Sequence, residues 1–245
     1  MRNAGWRAAR APVIAFTDDD CRPPAGWLAR TVAAAERHPG AILQGPTRPD
    51  PEETANFRTS LLVHTRWVEP AKWGHTCNIA YPRAVLEQIG GFDERFVEPV
   101  GEDVDLLARA RRAGAPHAPL PDLQMYHAVE PTTLRGAITI ASRHGQLALA
   151  VKRNPRYRWG RYQPLGVFIT WRHGWFALAV LALLAAPRRP LAAMAILPWL
   201  VSARRTHGSS YRGRWAARLP ALWLVDAVEV AVLARASVRY RTLLL

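Results

Sequence analysis

Residues 13–20 read Val-Ile-Ala-Phe-Thr-Asp-Asp-Asp, so that a short apolar segment ends in three consecutive carboxylates. Adjacent like charges repel one another unless a cation or hydrogen-bond donors compensate. At the carboxyl end of a buried strand these side chains would lie where open α/β sheets bind ligands, and spaced carboxylates suit a hard divalent cation. A solvated acidic turn after an edge strand is the other interpretation, and the triplet alone does not decide between the two.

Further short motifs flank this run in a fixed order. They are Arg2-Asn3-Ala4-Gly5 before it, and Gly74–Tyr81, Gly90–Phe96 and Gly101–Arg109 after it. Together they resemble glycosyltransferase family 2, which has the GT-A fold. The resemblance rests on R-N-x-G, an apolar strand with D-x-D, G-H-T-C-N-I-A, G-G-F-D-E-x-F, and E-D followed by a basic helix. It covers about the first 130 residues, and the combination is specific although each piece alone is weak.

The resemblance implies a fold and a reaction. The fold would be α/β and GT-A-like over residues 1–150, with a partial doubly wound, mostly parallel sheet. The reaction would be the inverting, metal-dependent transfer of a sugar from a nucleotide-sugar donor to an acceptor hydroxyl group. Such a transfer needs a cation to neutralise the leaving diphosphate, a base to take the acceptor proton, and two substrates held in line.

The same resemblance assigns the metal and donor positions. Asp18 and Asp20 match the D-x-D residues that hold a divalent metal, Mg²⁺ or Mn²⁺, and the sugar diphosphate. His127 stands where family members often complete the metal shell, although most isolated histidines are structural. The positions implied to line the nucleotide are Arg2, Asn3, Asp18 and Asp19.

The catalytic and acceptor positions follow from the later motifs. Asp103 matches the family's catalytic base, and a helix amino terminus favours the anionic form that accepts a proton. Glu102 is a candidate to orient the acceptor or the base. The alternative is that both carboxylates simply cap a helix. The predicted acceptor-side positions are Trp73, Gly74, His75 and Asn78, with an ordinary core role as the alternative for the tryptophan.

Two features depart from the family pattern. The Q-x-x-R-W pattern of processive synthases is absent, because Pro155 stands where the glutamine would precede Arg158-Trp159. This favours a single transfer per encounter. The family also carries a βαβ unit before R-N-x-G that cradles the nucleotide base. The sequence therefore predicts that a missing segment or a partner chain supplies this amino-terminal half.

Hydrophobic periodicity and turn residues predict the elements of the chain. The stretch at 55–73 is predicted to be an amphipathic helix or lid, and 46–54 a loop. The other predicted helices are 3–10, 27–37, 82–89, 102–113 and 132–153, and the predicted strands are 13–16, 41–45, 76–81 and one within 118–126.

Positive charge is concentrated in the last part of the chain. Residues 1–150 hold 17 basic and 17 acidic residues, whereas residues 151–245 hold 16 basic residues and only Asp226 and Glu229 as acids. The same part is apolar, in blocks at 175–186, 191–203 and 219–234. Basic charge interleaved with apolar side chains indicates an anionic membrane surface. The sequence thus predicts a mainly helical, membrane-associated tail on the cytoplasmic face of the plasma membrane.

Each apolar block is shorter than the roughly 20 residues that a spanning helix needs. If the first two blocks spanned, the Arg188-Arg189 turn between them would face outward, against the positive-inside tendency. We therefore favour a hairpin that enters one leaflet, with a spanning arrangement second and a soluble helical tail third.

Three classes of function are considered from the sequence. The first is a glycosyltransferase that acts on a lipid-linked or cell-envelope glycan. The second is a non-catalytic remnant or partner subunit of such an enzyme. The third, a basic nucleic-acid-binding protein, is disfavoured because residues 1–150 carry no net charge, and nucleic acid is not predicted as a partner.

Overall fold

The computed structural model describes residues 1–70, 73–158, 164–207 and 215–245. Trp159, which was compared above with the Q-x-x-R-W pattern, lies outside these residues. The chain forms two compact units. The first contains Met1–Thr54 and His64–Glu130, and the second contains Ala55–Val63 and Pro131–Leu245. The predicted domain division at residue 150 stays a prediction.

The described elements follow one another along the chain as a mixed α/β unit and then as helices. The strands are β1 (Val13–Phe16), β2 (Cys21–Arg22), β3 (Ile42–Gln44), β4 (Thr47–Pro49), β5 (Leu62–His64), β6 (Ile79–Pro82), β7 (His117–Pro119), β8 (Met125–His127) and β9 (Glu130–Thr132). The helices are α1 (Arg2–Ala8), α2 (Trp27–Arg37), α3 (Asn56–Thr59), α4 (Arg83–Ile89), α5 (Glu102–Arg112), α6 (Leu134–Ser142), α7 (Gln146–Arg153), α8 (Trp171–Ala185), α9 (Leu197–His207) and α10 (Leu219–Tyr240).

The main sheet of the first unit has the strand order β1-β6-β3-β7. Strand β6 runs antiparallel to both β1 and β3, and β7 runs parallel to β3. The predicted mostly parallel sheet is therefore wrong in its pairing, since two of these three pairs are antiparallel. The reason is local: Gly45 N donates to Asn78 O, so the chain enters β6 at the end where β3 has just finished. A parallel pair would need a crossover to the opposite end.

Both faces of this sheet are covered by apolar side chains. Ile42 packs with Trp6 of α1, Leu86 of α4 and Leu106 of α5. Leu43, the next residue, packs on the opposite face in a cluster with Ala34 of α2. Successive strand residues point to opposite faces, so a continuous apolar strand is what a doubly covered sheet requires.

A second sheet of the first unit has the order β2-β8-β4. Strand β2 pairs antiparallel with β8, which places Cys21 opposite His127. Strand β4 pairs parallel with β8 and lies inside the predicted 46–54 loop. Because β2 directly follows the acidic triplet, this pairing brings the triplet close to His127.

Two predicted helices differ from the structure. Among the described residues of the 55–73 stretch only α3 is helical, because Ser60 adopts an extended conformation and ends it after four residues. The predicted helix at 132–153 is divided into α6, a 3₁₀ segment at Arg143–Gly145, and α7. The backbone of Gly145 approaches α10 closely, since a Cβ built there would lie 3.1 Å from Cγ1 of Val232.

The first and fourth motifs lock together around Asn3. Its Nδ2 donates to Phe92 O at 2.8 Å, and its Oδ1 accepts from Phe92 N and from Trp6 Nε1, both at 2.9 Å. Gly91 lies against this arrangement with a positive φ of 72°. A Cβ at that position would lie 2.4 Å from Trp6 Nε1 and 2.6 Å from Asn3 Oδ1. The R-N-x-G and G-G-F motifs are thus two halves of one packing arrangement.

The neighbouring glycines provide a matched test of this arrangement. Gly90 also has a positive φ, of 76°, but a Cβ there would meet nothing within 4 Å. We expect Gly90→Ala to cost about 1–2 kcal/mol from the backbone alone. Gly91→Ala should cost about 2–5 kcal/mol, because the clash with Trp6 and Asn3 adds to the backbone term. Urea denaturation of both variants measures the difference, and equal losses would contradict this packing role for Gly91.

The second unit is a helical assembly around two apolar clusters. One cluster joins α8, α9 and α10 through Phe176, Trp199 and Leu222. The other joins α7 and α10 through Val151 and Leu233. The predicted apolar blocks are therefore helical: 175–186 lies mainly in α8, 191–203 in a 3₁₀ segment (Pro190–Ile196) and α9, and 219–234 in α10. Within the described ranges no helix is long and apolar enough to cross a membrane.

The two acids of this unit lie inside it. Glu229 Oε1 lies 2.6 Å from His144 Nδ1, and its Oε2 lies 2.9 Å from His173 Nε2. Burial alone would raise the pKa of the Glu229 carboxyl, but its hydrogen bonds with both histidines and the charge of Arg172 hold that pKa well below its usual range. Arg172 Nη2 also lies 2.9 Å from Asp226 Oδ1. The network compensates both buried carboxylates, which would otherwise destabilise an apolar core.

Candidate active site

Arg2 connects the acidic turn after β1 to the amino terminus of α5. Its Nη2 donates to Asp18 Oδ1 at 3.0 Å, and its Nη1 donates to Glu102 Oε1. A guanidinium group is planar and presents several donors, so it can hold two carboxylates at once. The structure therefore brings residues of three separate sequence motifs together.

Glu102 is a buried carboxyl group at the first position of α5. It is 8% exposed, and its Oε2 has no hydrogen-bond partner among the described residues. Burial and the charge of Asp103 raise the pKa of Glu102 to about 7, and Arg2 opposes this only in part. Near neutral pH the group is therefore divided between its acid and its carboxylate forms.

Asp103 contacts the predicted acceptor-side loop. Its Oδ2 lies 3.2 Å from His75 Nδ1, and its Oδ1 accepts from Val104 N at 2.7 Å. Gly74 brings the loop to α5: it has a φ of 65°, and a Cβ there would lie 2.7 Å from Leu107 Cβ. The predicted base and the predicted acceptor loop are thus neighbours. Trp73 precedes them and is half-buried.

Two predicted binding residues make several contacts within the fold. Asn78 is 3% exposed, its Nδ2 donates to the carbonyl groups of Pro46 and Leu123, and its Oδ1 accepts from Trp27 Nε1. Asn3 is held in the same way by Phe92 and Trp6. Their roles in acceptor and nucleotide binding stay predictions, while the contacts present are those of structural residues. Asp19 is exposed in the turn.

Asp20 and His127 meet where β2 pairs with β8. Asp20 Oδ2 lies 3.2 Å from His127 Nε2, and His127 is 1% exposed. His127 Nδ1 lies 2.9 Å from Ala128 O, which can only accept a hydrogen bond. In a neutral ring Nδ1 therefore carries the proton, and the lone pair of Nε2 faces the carboxylate.

This arrangement fits a divalent cation. Two acceptor atoms that face each other are unfavourable unless a proton or a cation lies between them. Ligand atoms bound about 2.0–2.2 Å from one ion lie about 3 Å apart when their bonds are nearly perpendicular. A histidine whose other ring nitrogen donates to a backbone carbonyl group is also the usual form of a metal ligand. Asp20 and His127 therefore suit the predicted metal, whereas Asp18 is engaged by Arg2.

His64 joins this pair, although the sequence did not single it out. Its ring lies edge-on to that of His127, with 5.6 Å between centroids. Ligand atoms of Asp20, His64 and His127 all lie within 4.8 Å of one another. Sequence reasoning missed His64 because the residue falls in a stretch predicted to be helical, whereas the structure places it in β5.

A cavity of about 530 Å³ opens beside these motifs within the first unit. Its lining includes Arg2, Phe92, Glu94, Glu98 and Glu102. Its volume lies in the range of small-molecule sites. Arg2, which also contacts Asp18, and Glu102 both form part of its lining.

Comparison with known proteins agrees with these motifs. Residues 1–92 match the family model for glycosyl transferase family 2. The validoxylamine A glucosyltransferases of Streptomyces hygroscopicus subsp. jinggangensis and subsp. limoneus are each 28% identical over 148 residues. The matches cover 47% of this chain and 35% and 33% of the respective relatives. The chain thus spans about a third of the length of these curated relatives.

Two solved structures are similar at a low level. The crystal structure of S. aureus TarS gives a TM-score of 0.36 at 16% identity, covering 88% of this chain and 42% of TarS. TarS 1–349 in complex with UDP-GlcNAc gives 0.40 at 16% identity, covering 98% and 70%. These likenesses are too weak to add to the assignment.

The matched residues contain the Arg2 motif, the acidic triplet and Gly90–Phe92. The chain carries a glycosyltransferase domain. Residues 1–92 match glycosyltransferase family 2, and this match supports the family predicted from the motifs.

The raised pKa of Glu102 generates a test. We expect a carboxyl midpoint of about 7 in a ¹³C NMR titration of the glutamate side chains. Asp103→Asn should lower this midpoint by removing a repelling charge, and Arg2→Gln should raise it by removing an attracting one. Because the folded protein favours protonated Glu102, ionisation between about pH 4.5 and 7 should lower stability, less so in Asp103→Asn. A midpoint that is unchanged in both variants would contradict the arrangement.

Proposed function

We propose that this chain catalyses the inverting, metal-dependent transfer of a sugar from a nucleotide-sugar donor to a lipid-linked or cell-envelope glycan. The observation that carries the proposal is the double contact of Arg2, which joins the D-x-D turn to the E-D motif. Donor-side and base-side carboxylates are thereby neighbours within one unit. A single-displacement transfer requires that neighbourhood.

The local geometry supports each proposed role. Asp103 would act as the general base, and its contact with His75 supports an orientation toward the loop where an acceptor would bind. Asp20 and His127 would hold the metal, with Asp18 as the further predicted ligand. A bound divalent cation would neutralise the charge of the leaving diphosphate. Glu102 would orient the acceptor or adjust the basicity of Asp103.

The relatives suggest which donors to examine first. Their names describe glucosyltransferases, so nucleotide-activated glucose is the first donor to test. The matched region covers only part of those proteins, so other donor sugars, nucleotides and acceptors should be tested as well.

One observation favours the partner-subunit alternative. In the described sheet β1 has β6 on one side and no strand on the other. Leu28 and Val32 of α2 are exposed beside it and line an apolar cavity of about 400 Å³. A further segment or chain could cover this edge and complete the donor site. Turnover that appears only when such a segment is added would favour this alternative.

The role of Asp103 is tested by Asp103→Asn. We expect transfer to fall about 10²–10⁴-fold, because a general base contributes on that scale. Donor binding should change little, since the base acts on the acceptor. Product formation with Mn²⁺ and calorimetry with the nucleotide separate the two effects. Asp122→Asn, at an exposed position outside the site, is the control. Turnover of Asp103→Asn close to that of the control would assign the base elsewhere, with Glu102 next.

We also propose that the second unit binds the anionic inner surface of the plasma membrane. Leu181, Leu184, Leu191 and Met194 are each more than 60% exposed on either side of Arg188-Arg189. Monomeric soluble domains rarely expose such a set, and apolar area with basic charge is what an anionic interface attracts. Membrane attachment would hold the domain near a lipid-linked acceptor.

Vesicle sedimentation tests this attachment. Binding should increase with the fraction of anionic lipid. The double variant Arg188→Gln/Arg189→Gln should weaken it by up to about 30-fold, at about 1 kcal/mol for each basic residue. Arg10→Gln/Arg37→Gln removes the same charge from exposed positions of the first unit and should have little effect. A chain that stays in the supernatant with anionic vesicles would refute the proposal.

A further inference from the structure

Two clusters in the described residues combine histidine and carboxylate groups at metal-ligand spacing. One contains Asp20, His64 and His127 in the first unit, and the other contains His173, Asp226 and Glu229 in the second. They differ in whether a cation is already present. Arg172 contacts both carboxylates of the second cluster, so a metal there would be repelled at short range.

In the part of the chain that the structure describes, the first cluster has no such cation. No arginine or lysine among the described residues pairs with Asp20, whose ionic partner is His127. His127 is buried, and its Nδ1 contact with Ala128 O directs Nε2 toward the carboxylate. No described arginine or lysine supplies a positive charge to this carboxylate, so the facing acceptor atoms are suited to a cation bound from solution.

His64 changes the chemistry of that site. Without His64, the predicted set of Asp18, Asp20 and His127 would give one imidazole and otherwise oxygen donors, a mainly oxygen set that Mg²⁺ also accepts. With two imidazoles and one carboxylate, the donor set suits a first-row transition metal and leaves positions open for other ligands. Mg²⁺ favours oxygen ligands and gives up its bound water reluctantly, so it would compete poorly for this site.

We infer that His64 is a ligand of the divalent cation together with Asp20 and His127, and that the site therefore selects a transition metal such as Mn²⁺ over Mg²⁺. The inference rests on the metal dependence in the proposed function and deepens it. Its observable is metal binding by the chain itself, so it does not depend on the identity of the sugar or the acceptor.

Electron paramagnetic resonance with Mn²⁺ provides the test. The whole chain is titrated with Mn²⁺, with and without UDP, and free Mn²⁺ is counted from its six-line signal. We expect one ion per chain and weak competition by Mg²⁺. Electron spin echo modulation should show two coupled imidazole nitrogens, from His64 and His127. His64→Gln should reduce them to one and weaken Mn²⁺ binding at least about tenfold, since even supporting residues of metal ligands contribute 10–100-fold.

Two further variants keep the result interpretable. His64→Asp retains a ligand but replaces nitrogen by oxygen, so it should recover affinity while losing much of the preference for Mn²⁺ over Mg²⁺. His38→Asn alters an exposed histidine away from the cluster and should leave Mn²⁺ binding unchanged. Far-ultraviolet circular dichroism verifies that each variant is folded.

The outcomes separate the inference from the proposed function. If His64→Gln binds Mn²⁺ as tightly as the parent chain, or if the parent shows one coupled nitrogen, the inference is wrong while metal-dependent transfer stands. If the parent binds no Mn²⁺ under either condition, the inference is wrong. Sugar transfer that persists in EDTA would in addition refute the metal dependence in the proposed function.

Discussion

The contact of one guanidinium group with two carboxylates organises the candidate site. Arg2 bonds to Asp18 after β1 and to Glu102 at the start of α5, which are far apart in sequence. Without it, several acids would face one another with little compensation. Arg2 is itself placed by α1, which the contacts of Asn3 with Phe92 fasten to the loop before α5. The packing of a structural asparagine thus determines where the charged groups meet.

Sequence patterns predicted the elements whose signals are local. The bounds of β1 and α2 are those expected, and α5 ends within one residue of its predicted end, because apolar runs, helix periodicity and first-turn acids are written in consecutive residues. The direction of β6 depends on which end of β3 the returning chain meets, and the contact of Arg2 with Glu102 joins residues 100 positions apart. The hydrophobic periodicity of a segment gives no information on the direction of β6 or on this long-range contact. The position of His64 was missed for a related reason, since its place in β5 is set by tertiary contacts that override local pattern.

The two histidine–carboxylate clusters show how one neighbouring charge changes the meaning of the same residue types. In the second unit Arg172 supplies the compensation, and Trp199 Nε1 donates to Asp226 at 2.8 Å. Burial raises the pKa of Asp226, which Arg172 and Trp199 oppose. The cluster is therefore a closed network that holds α8, α9 and α10 together. In the first unit no described arginine or lysine pairs with Asp20, so the same donor types are suited to bind a cation.

The motif residues accordingly fall into two physical kinds. Asn3, Asn78 and Gly91 are committed to contacts within the fold, and their substitution would displace the charged groups by moving the backbone that carries them. Asp20, Asp103 and His127 retain oxygen or nitrogen lone pairs directed at the site. Loss of activity alone does not separate the kinds, because misplacing a reacting group by about 1 Å can cost as much as removing a contact. Stability does separate them: replacing a residue of the first kind leaves buried partners unsatisfied and destabilises the fold, whereas replacing a site carboxylate relieves repulsion that the fold otherwise has to bear.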